Sequence, residues 1–127
     1  MKNQVTSIVQ SKRLIVMGVP ADRASMVYRK TNIVGIVRLE VKKGKGGVVA
    51  PAFTVADLLA VLPKKIMTNG GKVHILHIEA CSSTSPCWCL YWGDEATQVG
   101  WQERISFLHL LEDAIEWLCL NGYKLNL

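Results

Sequence analysis

FLHLLEDAIEWLCL, residues Phe107–Leu120, is the stretch whose reading decides the fold. Phe107, Leu108, Leu111, Ala114, Ile115, Leu118 and Cys119 recur at alternating three- and four-residue intervals, the signature of an amphipathic helix with one buried face. Ser106 has the side chain of an N-cap, and Asn121-Gly122 supplies the left-handed exit that lets Tyr123 fold back on the last turn. Leu110, Trp117 and Leu120 widen the apolar face beyond what one sheet covers. His109, Glu112, Asp113 and Glu116 fall on the other side at i, i+3, i+4 and i+7. That spacing binds a divalent metal only against a second carboxylate-bearing helix, which the sequence lacks, so the expectation is a solvated polar stripe.

Upstream, the pattern changes from helical to alternating. Residues 72–80 and 87–92 are rich in β-branched and aromatic side chains and predict a β-hairpin, with Trp88, Leu90 and Trp92 on one strand face and residues 82–86 as its loop. A further strand is expected over 99–105, weakened by Gly100. Thr54 and Asp57 form a capping box ahead of Val55, Leu58, Leu59 and Leu62, and Pro63 stops the run, which predicts a helix over 54–62. Residues 42–50 read as a Gly/Lys loop, and 33–41 as an edge strand in which Val37, Leu39 and Val41 alternate with Arg38 and Glu40. Ser7 and Gln10 make another capping box, predicting a first helix over 7–17 that ends at Gly18, with a short helical turn over 21–26. The expected fold is therefore a single α+β domain over 1–127, with about three helices packed on one small antiparallel sheet of two to four strands.

Composition narrows the setting. Half of the 127 residues are apolar, a globular fraction, yet no apolar run is long enough to span a bilayer. Gln10, Ser11, Lys12 and Arg13 interrupt any signal-peptide core, so a cytoplasmic protein is expected, with no membrane partner and the four cysteines as free thiols, a Cys81–Cys87 bridge across the hairpin being the less favoured alternative. The net charge of +5 hides an asymmetry: residues 1–65 carry twelve Lys or Arg against three Asp or Glu, and residues 66–127 carry three against seven. Such a division can steer an anionic partner, or draw two copies together.

Cys81, Cys87, Cys89 and His77, with His74 nearby, supply soft donors of the kind zinc takes. Their spacing is unlike a zinc knuckle, because Cys87 and Cys89 share a strand face while His74 and His77 point to opposite faces. No metal site is therefore assigned, and the thiols are read as small apolar side chains. Pairing Cys81 with His77 would give a thiol nucleophile and a base, but nothing orients them. No nucleophile elbow, phosphate loop or dinucleotide fingerprint occurs, so the chain is read as non-enzymatic, with no cofactor and no catalytic residue. Arg38, Lys42, Lys43 and Lys45 form the candidate nucleic-acid surface, with Trp88, Tyr91, Trp92 and Trp101 as candidate stacking groups.

Two motifs carry a family resemblance. Thr6-Ser7-x-x-Gln10-Ser11-Lys12-x-Leu14-x-x-x-Gly18, followed by Ala24-Ser25-Met26, is one; Pro51-Ala52-Phe53-Thr54-x-x-x-Leu58-Leu59-x-x-Leu62-Pro63-Lys64-x-Ile66 is the other. With the C-terminal helix and its Asn121-Gly122-Tyr123 ending, the chain resembles short proteins of phages, prophages and other mobile elements of gut bacteria, a family with no assigned function. The matching positions are caps, helix stops and core residues, so the resemblance implies a shared fold. The Cys- and Trp-rich hairpin over 81–92 and the Gly/Lys loop depart from that pattern, and a function located there belongs to this chain alone. The expected function is a non-catalytic accessory domain acting through contacts with an unidentified protein partner, a homodimer being the simplest case. A nucleic-acid-binding module using the basic N-terminal half is the alternative, and a zinc- or thiol-dependent activity at the 81–89 hairpin is the third.

Overall fold

A computed structural model describes residues 4–42, 44, 46–81, 87–94 and 96–127. Among them are three α-helices, seven strands and one 3-10 turn, in two antiparallel sheets, and the chain divides into two compact units, Met1–Leu59 and Ala60–Leu127. The α+β class is as expected; the single sheet is corrected to two.

The first unit opens with α1 (Ile8–Val16), capped by reciprocal hydrogen bonds between Ser7 and Gln10. Its buried positions are Ser11 and Leu14, whereas Ile15 is exposed. The inward polar position is filled because the Ser11 hydroxyl meets the Thr6 hydroxyl at 2.6 Å, and Thr6 Oγ1 also accepts from the Phe53 amide at 2.9 Å. That buried cluster ties the N-terminal segment to the strand that precedes Phe53. After the 3-10 turn Ala21–Arg23 come β1 (Met26–Lys30), β2 (Val37–Val41) and β3 (Val48–Ala52), in sheet order β2-β1-β3.

The 3-10 turn falls within the helical turn expected over 21–26, whereas β1 occupies a stretch for which the sequence reading expected no element and β3 overlaps the loop expected over 42–50. β1 is five residues long with Arg29 and Lys30 at its end, and β3 follows the glycines and contains Pro51. Both are stabilised by pairing across the chain, which local pattern does not reveal, and Pro51 is accommodated because β3 is an edge strand. β2 is the other edge, shorter than the 33–41 expected. The turn before it, 31–36, is organised by Thr31, whose hydroxyl donates to the Ile36 carbonyl at 2.9 Å and accepts from the Ile33 amide at 3.2 Å. α2 (Val55–Val61) begins with the Thr54/Asp57 capping box, and the boundary between the units falls within it.

The second unit holds the sheet β4-β5-β6-β7, formed by β4 (Lys65–Met67), β5 (Val73–Ala80), β6 (Trp88–Gly93) and β7 (Gln98–Arg104), followed by α3 (Phe107–Leu120). β4 escaped the sequence reading because three residues are too few to show a period. α3 packs on one face of this sheet: Trp92 stacks on Trp117 with ring centroids 5.6 Å apart, and Trp88 meets Phe107 edge to face at 5.1 Å. Trp92 is fully buried and donates its indole N–H to the Pro63 carbonyl at 2.9 Å, so its one polar atom is satisfied. Asn126 reaches back to the end of α2, its amide N–H donating to the Val61 carbonyl and its side chain to the Ala60 carbonyl, which supplies partners for helix-end oxygens. The polar stripe of α3 is corrected in one respect. Glu112 is buried, Asp113, paired with Arg104, and Glu116 are half-buried, and of the four only His109 is exposed. No helix among the described residues is long and apolar enough to cross a membrane.

Candidate functional site

The side of the β4–β7 sheet opposite α3 concentrates the unusual chemistry. Antiparallel register fixes which residues share it. Met67 lies opposite Val73, Lys65 opposite Ile75, His77 opposite Tyr91, and Glu79 opposite Cys89, which in turn lies opposite Glu103. Because side chains alternate along a strand, residues 73, 75, 77 and 79 project together, while His74, Leu76 and Ile78 project toward the helix.

The centre of this face is a row of rings. Tyr91 is stacked between His77, at 5.2 Å and 17°, and Trp101, at 5.4 Å and 16°. Rings on adjacent strands that lie parallel at nearly the strand spacing stand on edge to the sheet, so both faces of Tyr91 are occupied and Tyr91 itself is buried between its neighbours. Of the row, Trp101 is 44 % exposed, and on β4 and β5 three further apolar side chains are left in water: Met67, Val73 and Ile75 are 62, 50 and 54 % exposed. His74 takes no part; it is buried on the other face, its Nε2 within 3.1 Å of the Thr68 hydroxyl.

At the other end of the face are the thiols. Cys81 and Cys87 are linked as a disulfide with Cα atoms 5.4 Å apart, contrary to the free thiols expected, and the Cys81 amide donates to the Cys87 carbonyl at 3.0 Å. The β5–β6 ladder therefore positions the pair; residues 82–86 between them lie outside the described residues. Oε1 of Glu103 sits 3.2 Å from the Cys81 sulfur and 3.7 Å from the Cys87 sulfur. A disulfide carries no S–H, so neither contact is a hydrogen bond in the oxidised pair. Cys81, Cys87 and Glu103 offer donor atoms that all lie within 4.8 Å of one another.

Of the residues read as metal candidates, the structure thus gathers Cys81 and Cys87 but adds Glu103 in place of His77 and Cys89. His77 is engaged with Tyr91, and the Cys89 sulfur faces the Glu79 carbonyl at 3.5 Å. Burial pushes the Cys89 thiol pKa up, and the carboxylates of Glu79 and Glu103 push it further. Glu103 was legible only through its alternation with Trp101 along β7, once the register with Cys89 is known.

The candidate nucleic-acid residues separate. Arg38 is exposed on β2, directly opposite Arg29, in a cleft of about 180 Å³ that Lys30, Thr31, Asn32 and Glu40 also line. Glu40 pairs with Arg29, which relieves the juxtaposition of like charges. Lys42 is exposed with its Nζ 3.4 Å from the Asp22 carbonyl, and Lys43 and Lys45 lie outside the described residues. Of the proposed stacking groups, Trp88 and Trp92 face α3, while Tyr91 and Trp101 belong to the open face. Compared with family models, curated proteins and solved structures, the chain matches none, and the meaning of these surfaces rests on their own chemistry.

Proposed function

We propose that the chain is a non-catalytic accessory domain, of the phage and mobile-element kind its motifs resemble, that works through protein contacts on the open face of the β4–β7 sheet, with a second copy of itself as partner. The observation that carries this reading is the exposure of Met67, Val73 and Ile75 together on β4 and β5, with Trp101 exposed on β7 at the other edge of the same sheet face. Apolar side chains grouped in this way are costly to leave in water, and a sheet supplies a pre-ordered contact surface. The rim favours protein over nucleic acid, because Glu79 and Glu103 border the ring row and the edge-on rings offer Tyr91 no free face for a base. Charge favours a second copy. Residues 1–59 hold ten Lys or Arg against three Asp or Glu, and residues 60–127 hold five against seven, so the basic unit of one copy attracts the acidic unit of another. Reciprocal pairing of this kind closes at a two-fold dimer.

Acrylamide quenching of Trp101, taken as the difference between the wild type and Trp101→Phe, tests the reading. Quenching falls as protein concentration rises if the face is covered by another copy; quenching independent of concentration counts against it.

A second reading, nucleic-acid binding by the first unit, is favoured by one observation, the Arg29/Arg38 pair with Lys30 around the cleft. Salt-sensitive binding of a labelled oligonucleotide, weakened in Arg38→Ala, supports that reading, and no binding at low salt removes it.

A further inference from the structure

We propose that the reduced form of the Cys81/Cys87 pair, together with Glu103, is a binding site for one zinc-class divalent ion. This stands apart from the protein-contact reading and does not depend on it.

Three observations converge. The two cysteines are held by the strand ladder, through the Cys81 N–H to Cys87 carbonyl bond and a Cα separation of 5.4 Å, so opening the disulfide keeps both backbones in place while side-chain rotation lets the sulfurs separate to donor spacing. A third strand then delivers a carboxylate to them: one oxygen of Glu103 is 3.2 and 3.7 Å from the two sulfurs. In the reduced pair a thiol S–H can donate to that oxygen, but once the thiols ionise three anionic donors converge, an arrangement that a cation stabilises, and among the described residues Glu103 forms no ion pair with Lys or Arg. Finally, the donor types choose the ion. Two thiolates and one carboxylate suit zinc, whose bonds of about 2.3 Å to sulfur and about 2.1 Å to oxygen place tetrahedral donors roughly 3.5–3.8 Å apart. The three donor atoms already lie within 4.8 Å of one another. Magnesium and calcium take oxygen donors and are not expected to compete.

The balance is simple. An external dithiol breaks the S–S bond, supplying two electrons and two protons and leaving as its own cyclic disulfide. The ion then replaces both thiol protons, which pass to solvent, and no electron moves in that step. Water fills the fourth position. Cys89 stays outside the set, its sulfur turned to the Glu79 carbonyl. The disulfide and the metal complex are therefore alternative states of one site, exchanged by the thiol redox conditions around it.

The test is titration of the reduced full-length protein with Co²⁺ alone, followed by absorption spectroscopy. The expected result is one equivalent bound, with sulfur-to-metal charge-transfer bands of two thiolates and the visible bands of a tetrahedral ion. Both are lost in Cys81→Ser and in Cys87→Ser and kept in Cys89→Ser, and the oxidised protein gives neither. Glu103→Gln, at an exposed position that leaves the fold intact, weakens binding by more than the roughly tenfold typical of losing an outer-shell partner. Absence of the bands in the reduced wild type overturns the proposal, as does their survival in Cys81→Ser or Cys87→Ser. Unchanged affinity in Glu103→Gln overturns the role of the carboxylate.

Discussion

Gly100 lies directly against the indole of Trp117: a Cβ at residue 100 would fall 2.8 Å from Cζ3 and 2.9 Å from Cε3 of that ring. Its φ of +70° is also a conformation L side chains avoid. Gly100→Ala therefore meets left-handed strain of about 1–2 kcal/mol and an overpacking cost of about 1–3 kcal/mol. Gly122, with φ of +76° and open space around it, carries only the first of these. In urea unfolding, Gly100→Ala should lose clearly more stability than Gly122→Ala; equal losses would mean the Trp117 contact yields without cost.

The Thr6, Ser11 and Phe53 cluster gives a second prediction. Thr6→Val keeps the shape but leaves the Phe53 amide without its 2.9 Å acceptor and the buried Ser11 hydroxyl without its partner. Orphaned buried groups cost about 1–3 kcal/mol each, whereas Thr6→Ser retains the hydroxyl and loses about 0.8 kcal/mol for one methyl group. Chemical denaturation should rank Thr6→Val below Thr6→Ser, and the opposite order would refute the polar account of this cluster.

Asp57 makes stability depend on pH. Burial raises its pKa, but hydrogen bonds from the Ser25 hydroxyl, the Thr54 amide and the Ser25 amide outweigh that effect, and the net shift is downward. With the folded value below the unfolded one, ionised Asp57 favours the fold above the unfolded pKa of about 4, and this contribution is lost as pH falls through the lower folded value. Between about pH 5 and pH 2, Asp57→Asn should show a shallower loss of stability than the wild type. Parallel acid profiles for the two proteins would contradict the assignment.

Cys89 should be the slow thiol. Its raised pKa, from burial first and then from Glu79 and Glu103, leaves little thiolate at neutral pH. In the oxidised protein, where Cys81 and Cys87 are joined, Glu79→Gln removes one of the two negative charges. The prediction is faster reaction of Cys89 with a disulfide reagent and a lower midpoint in its pH–rate profile. A profile unmoved by the substitution would remove Glu79 from the causes of the shift.

How far the sequence reveals this structure depends on where the determining contacts lie. The reading of α3 needed only its own residues, since Ser106, the apolar stripe and Asn121-Gly122 sit within one stretch, and the helix spans Phe107–Leu120 as read. The Thr54/Asp57 capping box is local in the same way. β1 and β3 depend on each other across twenty residues, and neither alternates cleanly by itself, so the first sheet stayed hidden. The candidate site was half legible. The cysteines stand out by type, but Glu103 acquires meaning only through the register that sets it opposite Cys89, and the exposed face through the pairing of Met67 with Val73 and Lys65 with Ile75. Buried Glu112 shows the limit of face counting, because a charged side chain at a polar helical position is drawn inward by tertiary packing.

Sedimentation equilibrium over a wide concentration range, on the wild type and on Ile75→Lys, tests the protein-contact account most directly. Ile75 is exposed on the open face, opposite Lys65 and two residues from His77, so the substitution adds a charge there without disturbing the core. The account predicts a wild-type mass that rises from monomer to dimer, more readily at low salt, and a variant that remains monomeric. A wild type that stays monomeric throughout, or a variant that associates as the wild type does, would contradict it.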